Sequence, residues 1–333
     1  MSSILRPTTI DDEARIIELE SRVFGVGPDA PFLNPALLRW KYWEPRADTA
    51  DPRSLVIERD GRIAAHVGLW PVTICKGAKG ERGVQMMDWV SAPEAPGAGV
   101  SLLQRLTKSY DFVYSIGGTA MTQSILPKFG FRTVATTAMF ARPLRPFRQI
   151  LRHQSRDAKL PIRLARNLWW AKVPAAAPAS KWSVALAEGP ATVNKERGEG
   201  FFEYLKKCPA VRFVGFDLMN EGRREGFLGL SFVNHQARLA GIWLDNPTQE
   251  NWRAAFQLAQ QEALRDTAGL ELVARATTKE AKTAAAQAGL RFRREASVFL
   301  FRRGTGDGSL PLQFQMADDD AFFLTEGRSE FQT

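Results

Sequence analysis

The sequence predicts a protein of the α+β or α/β class that is built from two similar halves. Strand-like and helix-like segments alternate along its 333 residues, of which 44% are hydrophobic, enough for two domains with sizeable cores. Asp60-Gly61 joins two apolar segments and indicates a β-hairpin. A similar hairpin signal recurs at Glu221-Gly222, so the predicted fold contains an internal repeat.

Local signals place the elements of the first half in order. A cap at Thr9 or Asp11 begins a helix that reaches about Phe24, and Pro35 opens a short helix. The predicted strands are residues 4–8, 54–59, 62–74, 84–90, 111–116 and 131–144. A helix follows the strand at 84–90, and another ends near Gly130. These elements describe one compact α/β half.

The second half repeats this order. The segment from Asp60 to Leu69 aligns without gaps on the segment from Glu221 to Leu230, and the two share Gly61/Gly222, Arg62/Arg223, Gly68/Gly229 and Leu69/Leu230. A helix over 248–265, a strand over 270–276 and a helix from Thr278 follow in the order of the first half. The common order predicts a tandem pair.

The composition limits the function classes. No apolar run is long enough for a membrane-spanning helix, and the first residues lack the apolar core of a signal peptide. Cys75 and Cys208 stand far apart with no metal or redox spacing. We therefore expect a cytoplasmic protein, without a metal cofactor.

The net charge of +9 is concentrated in one segment. Between Ala141 and Lys172, nine basic residues face one acidic residue, so this segment holds eight of the nine net positive charges. The stretch from Ile162 to Trp170 has an amphipathic pattern. A helix that clamps the two domains together explains this pattern. Contact of residues 145–172 with the anionic inner face of the membrane explains it as well, whereas binding to nucleic acid is less favoured.

A Pro- and Ala-rich stretch, Val173 to Ser180, reads as a linker. The predicted organisation is an N-terminal domain at 1–142, a basic segment and linker at 143–180, a C-terminal domain at 181–303 and a tail at 304–333. The acidic run Asp318-Asp319-Asp320 in the tail is interpreted as a solvated turn, with calcium as the alternative.

A glycine pair marks the junction of a strand and a helix in the first half. The loop is Glu94-Ala95-Pro96-Gly97-Ala98-Gly99, shortly after the predicted strand at 84–90. Glycines there let backbone N–H groups approach an anion at a helix N-terminus, where a pyrophosphate would fit. A tight turn alone would explain the same pair. The second half has Asn246-Pro247-Thr248 at this place, which predicts an ordinary capped helix.

This order of strand, glycine loop, helix, strand and a terminal Gly130-Phe131 resembles the GNAT acetyltransferase superfamily. The resemblance implies two tandem GNAT-like domains, each a mixed, largely antiparallel central sheet flanked by helices. It implies acetyl-CoA, or another acyl-CoA, as cosubstrate in the first copy. The implied cofactor-binding residues are Trp89, Val90, Glu94, Gly97, Ala98, Gly99, Val100 and Ser101.

Two positions depart from the family pattern. Glu94 stands where the family has a basic or amide residue, and Leu126 stands where many relatives have a tyrosine that protonates the departing thiolate. The first half also resembles bacterial proteins associated with exopolysaccharide synthesis. Trp40-Lys41-Tyr42, Ala65-His66 with Pro71-Val72, and Asp88 carry that resemblance.

Acyl transfer to an amine requires a held thioester, a proton acceptor and stabilisation of the departing thiolate. Asp88 is the candidate base, because alternation places it among apolar neighbours that should raise its pKa. The alternative is a buried structural aspartate. His66 could act as a base or could be a core histidine. Ser115 and Tyr114 lie beside the expected thioester, and Tyr114 could be a proton donor or a packing residue.

Trp40, Trp43 and Trp70 could wall an acceptor cleft and stack on a sugar ring, or they could be core residues. The leading function is an acyl-CoA-dependent N-acyltransferase that acts on a small or sugar-linked amine. The alternative is a non-catalytic tandem module, favoured by Glu94, by Leu126 and by the second half, whose equivalent loop has no glycine.

Overall fold

The computed structural model describes residues 3–76, 79–152, 158–172, 181–187, 200–304, 313–323 and 331–333. The predicted linker and the glycine-rich part of the tail lie outside these ranges. The strands are β1 (Ser3–Pro7), β2 (Ser54–Arg59), β3 (Arg62–Lys76), β4 (Lys79–Ser91), β5 (Phe112–Ile116), β6 (Arg132–Pro143), β7 (Trp182–Leu186), β8 (Arg212–Asn220), β9 (Arg223–Val233), β10 (Gln236–Leu244), β11 (Glu271–Ala276) and β12 (Arg291–Arg302).

The α-helices are α1 (Glu13–Phe24), α2 (Pro35–Tyr42), α3 (Ala98–Ser109), α4 (Ala120–Ile125), α5 (Pro146–Arg152), α6 (Leu160–Lys172), α7 (Phe201–Lys206), α8 (Gln249–Arg265) and α9 (Lys279–Gln287). Within the described ranges, none of these helices is both long and apolar enough to cross a bilayer. The described residues form two compact units, one containing residues up to 134 with 200–209 and 297–304, and the other containing the rest.

Unit 1 contains strands in the order β1-β2-β3-β4-β5-β12. The β4–β5 pair is parallel and the other neighbours are antiparallel. The hairpin between β2 and β3 turns at Asp60 (φ 49°) and Gly61 (φ 78°), as the Asp-Gly signal predicts. Helices α1 and α3 pack apolar residues such as Ile16, Leu102 and Leu106 into the core of this unit.

Unit 2 has the same plan. Its strands run in the order β6-β11-β10-β9-β8-β7, and β10–β11 is the parallel pair. The hairpin between β8 and β9 turns at Glu221 (φ 50°) and Gly222 (φ 77°), nearly the same angles as in unit 1. Each unit thus contains a mixed, largely antiparallel set of strands flanked by helices, which confirms the predicted fold class.

The units are not contiguous in sequence, unlike the predicted domains. Strand β6 leaves unit 1 near Val134 and pairs with β11 in unit 2, whereas the second half of β12 pairs with β5 in unit 1. Helix α7 also belongs to unit 1, and the basic segment belongs to unit 2. The strands of each unit thus include one from the other half of the chain.

Candidate active site

The candidate site lies in unit 1, where β4 and β5 separate. These parallel strands pair only between residues 83–85 and 112–114, although β4 continues to Ser91. From Met86 onward, the β5 side of β4 has no ladder partner among the described residues. Unpaired strand edges present backbone N–H and C=O groups to a ligand. We refer to this opening as the β4–β5 cleft.

A β-bulge in β4 lies at this opening. The register against β3 shifts between His66 and Gly68, opposite Asp88, and Asp88 has φ 49°. Such left-handed backbone costs a non-glycine residue about 1 kcal/mol or more. The Asp88 side chain is only 7% exposed although the whole residue is half-buried. The bulge therefore turns the carboxylate inward and leaves the backbone of Asp88 accessible.

Two residues of α2 hold the Asp88 carboxylate. The buried Lys41 ammonium forms an ion pair with Asp88 Oδ2, and the Tyr42 hydroxyl donates to the same oxygen at 2.6 Å. Burial by itself would raise the pKa of Asp88, but Lys41, Tyr42 and nearby His66 outweigh it and lower that pKa below the ordinary value. The predicted raised pKa of Asp88 is therefore wrong, because the positive charge of Lys41 outweighs the effect of burial.

His66 lies in a buried chain of polar side chains next to this pair. Its Nδ1 is 2.7 Å from Glu20 Oε1, and its Nε2 is 2.9 Å from Ser54 Oγ. Ser54 Oγ in turn lies 2.7 Å from Thr8 Oγ1. His66 is fully buried with both ring nitrogens occupied, so it cannot reach a substrate amine directly. The structure supports the core-histidine reading.

The environment of buried Glu20 predicts that the stability of unit 1 depends on pH. Burial, and then the charge of Asp88, raise the pKa of Glu20, and its Oε2 has no hydrogen-bond partner among the described residues. A folded pKa above the unfolded value means that this stability is present below the unfolded pKa and is lost as pH rises through the folded pKa.

We therefore expect Glu20→Gln to raise the free energy of unfolding by about 1 kcal/mol at pH 8 and to flatten its dependence on pH between 4 and 8. Urea unfolding at several pH values measures this change. Glu18→Gln, at an exposed position of the same helix, is the control and should change neither quantity. An equal loss of stability at every pH for Glu20→Gln would contradict the expectation.

The glycine loop leads into α3 beside the β4–β5 cleft. Gly97 is the N-cap with φ 82°, and no side chain caps the helix there. Ala98 N–H donates to Ala95 O and Ser101 N–H to Gly97 O. The N–H groups of Gly97, Gly99 and Val100 have no acceptor within the described part of the chain. They remain available to an anion at the positive end of α3.

Neighbouring residues fix the shape of this loop. The Trp89 indole donates to Gly99 O at 2.9 Å, and a Cβ on Gly99 would lie 3.3 Å from that indole nitrogen. Trp89 thus supports the loop, and Val90 is buried in the core. Glu94 forms an exposed ion pair with Arg22 at 2.8 Å. That exposed pair offsets only part of the negative charge that Glu94 places beside the loop.

Tyr114 and Ser115 cannot face the same thioester. Successive side chains of a strand point to opposite faces, and both residues are buried in β5. Tyr114 stacks with Phe112, with ring centroids 6.3 Å apart, which is a packing role. Leu126, at the position where the GNAT resemblance implies a tyrosine acid, is also buried in the core.

The predicted aromatic wall is largely core. Trp40 and Trp70 are 4% and 0% exposed, and Tyr204 of α7 stacks on Trp40 at 4.7 Å. The side chain of Arg46 lies over the Trp70 ring. The prediction that Trp40 and Trp70 wall an open cleft is therefore wrong, because α7 returns from the second half and covers them. Trp43 is half-buried, and its indole donates to Thr8 Oγ1 at 3.1 Å.

Unit 2 contains the equivalent opening, between β10 and β11. Gly68 pairs with Met87 and Gly229 with Gly241, so Asp88 and Ile242 occupy equivalent positions. Ile242 N–H donates to Gln315 Oε1 at 2.6 Å, and Gln315 Nε2 donates to Ile242 O at 2.8 Å. The side-chain amide of Gln315 therefore fills, in unit 2, the place that is open in unit 1.

The segment 313–323 is built into unit 2 around this contact. Gln313 Oε1 accepts from Thr278 N–H at 2.9 Å, and Asp319 forms a buried ion pair with Arg275. Asp318 is also buried and accepts from the backbone of Gln315 at 2.6 Å. The reading of this acidic run as a solvated turn is therefore wrong. At the start of α8, Thr248 Oγ1 accepts from Asn251 N–H, the ordinary cap that the sequence predicts.

No protein-family model matches the chain, and no curated protein matches it by sequence. Solved structures do match. A GCN5-related N-acetyltransferase from Anabaena variabilis ATCC 29413 aligns over 90% of this chain and 72% of its own at 9% identity, with a TM-score of 0.57. A tandem GNAT protein from the clavulanic acid biosynthesis pathway aligns over 92% and 100% at 11% identity, with a TM-score of 0.54.

The N-myristoyltransferase of Saccharomyces cerevisiae, solved with bound myristoyl-CoA, aligns over 90% of this chain and 80% of its own at 12% identity, with a TM-score of 0.54. At identities this low, structural similarity establishes the fold alone. The activity has to be argued from the site. The chain has the fold of a tandem GNAT protein, with two GNAT-like units.

Proposed function

We propose that the chain is an acyl-CoA-dependent N-acyltransferase and that unit 1 binds the acyl-CoA, most simply acetyl-CoA. The carrying observation is that, among the described residues, β4 at Asp88 has no ladder partner on its β5 side and the nearby N–H groups of Gly97, Gly99 and Val100 have no acceptor. An acyl-CoA has amides along its pantetheine arm and a pyrophosphate at its far end. The strand edge suits the amides, and the start of α3 suits the pyrophosphate.

The filled cleft of unit 2 supports this placement. There the Gln315 amide bonds both the N–H and the C=O of Ile242. An amide of acyl-CoA would make the same two bonds at the equivalent Asp88 in unit 1. In unit 2 Gln315 occupies the strand edge and Thr248 caps the following helix. We therefore expect one acyl-CoA per chain.

In this reaction an amine attacks the thioester carbonyl and CoA leaves as a thiolate. Unpaired backbone N–H groups in the cleft are suited to stabilise the negative charge that develops on the carbonyl oxygen. We assign Asp88 a positioning role, because its ion pair with Lys41 holds the bulge and lowers its pKa. With Leu126 at the family's acid position, the thiolate leaves without a tyrosine donor.

The acceptor is proposed as a small or sugar-linked amine, with cell-surface polysaccharide synthesis as one setting. The exopolysaccharide resemblance suggests this acceptor. The residues that carry it, however, are buried side chains that stabilise unit 1 and do not line an acceptor site: Trp40, Lys41, His66 and Asp88. The test is amine-dependent release of CoA thiol from acetyl-CoA, over a panel of aminosugars, amino acids and polyamines. Binding of acetyl-CoA without release for any amine would favour the non-catalytic module instead.

The proposal predicts a gain of affinity at Glu94. Its carboxylate adds negative charge beside the phosphate-binding loop and is only partly offset by Arg22. Glu94→Gln should tighten acetyl-CoA binding about two- to fivefold at low salt, because exposed charge interactions are small and screened. Calorimetry at two salt concentrations measures this, with Glu280→Gln as the distant control. Weaker binding by Glu94→Gln would show that the carboxylate contributes to the site.

A further inference from the structure

Helices α5 and α6 of unit 2 expose large apolar side chains to solvent. Leu151 is 78% exposed and Ile162 is 71% exposed, and Phe147 and Trp169 are each 63% exposed. Phe147 and Leu151 are four residues apart on α5, and Ile162 and Trp169 are seven apart on α6, so each pair shares one helix face. Single exposed apolar residues are ordinary, whereas four on two helices in contact with each other indicate an interaction surface, called here the apolar patch.

The opposite faces of both helices are anchored to unit 2. Gln149 Nε2 donates to Thr333 Oγ1 at 2.6 Å, and Asn167 Nδ2 donates to Gln149 Oε1 at 3.2 Å. Gln149 and Asn167 are both buried. On α5, Gln149 lies on the face opposite Phe147 and Leu151. The two helices therefore contact each other and the unit through polar inner faces and present their apolar faces outward.

Arginines surround the apolar patch. Arg148 is exposed and donates to the carbonyl of Thr267 at 3.1 Å, and Arg152 is exposed beside it. Arg166 lies over the Trp170 ring at 4.5 Å, and Arg291 lies over the Trp169 ring at 5.5 Å. Arg152 also contacts His235 Nε2 at 3.4 Å, and Arg166 donates to Asn167 Oδ1 at 3.2 Å. Within the described part of the chain, none of these four arginines forms an ion pair with a carboxylate.

We propose that the outward face of α5 and α6 docks on an anionic lipid bilayer. Exposed Leu, Ile, Phe and Trp side chains can enter the interface between headgroups and acyl chains, while the flanking arginines contact anionic headgroups. A nucleic acid would use the charges but would leave the aliphatic residues in water. This surface lies in unit 2, so the inference stands independently of acyl-CoA binding in unit 1.

Flotation with vesicles tests the proposal on the full chain. At 50 mM salt, vesicles that contain phosphatidylglycerol should float with the protein, whereas pure phosphatidylcholine vesicles should not. The double variant Arg148→Glu with Arg152→Glu should weaken this partitioning by at least about 25-fold, from about 1 kcal/mol for each lost basic residue. Leu151→Ser with Trp169→Ser should weaken it by at least about tenfold.

Matched controls separate this face from general surface properties. Leu186 is 67% exposed in the same unit, and Leu186→Ser should leave partitioning unchanged. Lys108→Glu with Lys279→Glu makes the same change in net charge at exposed positions outside the patch and should alter partitioning less than threefold. No binding to phosphatidylglycerol vesicles, equal loss in the controls, or salt-sensitive binding to RNA without vesicle binding would each overturn the proposal.

Discussion

Replacing Gly97 with aspartate should weaken acetyl-CoA binding at least about 100-fold while lowering the free energy of unfolding by only about 1 kcal/mol. A Cβ at Gly97 would meet no atom within 4 Å, and the only penalty to the fold is the left-handed backbone, φ 82°. The added carboxylate would lie next to the N–H groups of Gly99 and Val100, which have no acceptor among the described residues and where the pyrophosphate is proposed to bind. Repulsion between these charges gives the expected loss.

Gly222 supplies a matched control for this variant. It has φ 77° and also meets no atom within 4 Å, but it lies in a hairpin of unit 2. Gly222→Asp should therefore show the same small loss of stability with unchanged acetyl-CoA affinity. Gly97→Asn adds similar bulk without charge and should retain most of the affinity. Unchanged binding by Gly97→Asp would mean that the loop is only a turn.

Replacing Lys41 with methionine should lower the free energy of unfolding by about 3–5 kcal/mol at pH 7, because it leaves the Asp88 carboxylate buried without its cation. Lys41 and Asp88 are 1% and 7% exposed, so solvent cannot take over this role. Chemical denaturation at pH 7 measures the loss. Arg39→Met, on the exposed side of the same helix, should cost less than about 1 kcal/mol.

The dependence on pH distinguishes lost charge pairing from lost packing. The folded pKa of Asp88 is lowered, so its contribution to stability is present above the unfolded pKa and is lost as pH falls through the folded value. The difference between Lys41→Met and the parent should therefore shrink as pH falls below about 4. Adding Asp88→Asn should recover part of the stability at pH 7. A loss that is constant with pH and additive with Asp88→Asn would contradict the ion-pair assignment.

The sequence predicts the elements of this fold better than their pairing. The Asp60-Gly61 and Glu221-Gly222 signals specify hairpins locally, and both form with nearly equal backbone angles. The exchange of β6 and β12 depends on which sheet edge each strand joins. The alternation of apolar and polar residues within a strand predicts which face of the strand is buried, but it does not predict which strand pairs with it. The sequence alone therefore predicts contiguous domains.

The site shows the same division between local and distant information. Local residues predict that α3 begins at Gly97 without a side-chain cap and that Thr248 caps α8. The structure shows both features. The low pKa of Asp88 depends on Lys41, which is 47 positions away in sequence. The filling of the unit 2 cleft depends on Gln315, more than 70 positions from Ile242. Local hydrophobic patterns predict neither the Lys41–Asp88 ion pair nor the Gln315–Ile242 hydrogen bonds.

Hydrogen–deuterium exchange with and without acetyl-CoA tests the central claim most directly, because it reports both binding and location. We predict slower amide exchange in residues 86–101, which cover the open end of β4 and the start of α3. Residues 240–252, the equivalent region of unit 2, should be unchanged because Gln315 and Thr248 already occupy it. Protection at 240–252, or no protection in either region at saturating acetyl-CoA, would contradict the assignment of the acyl-CoA site to unit 1.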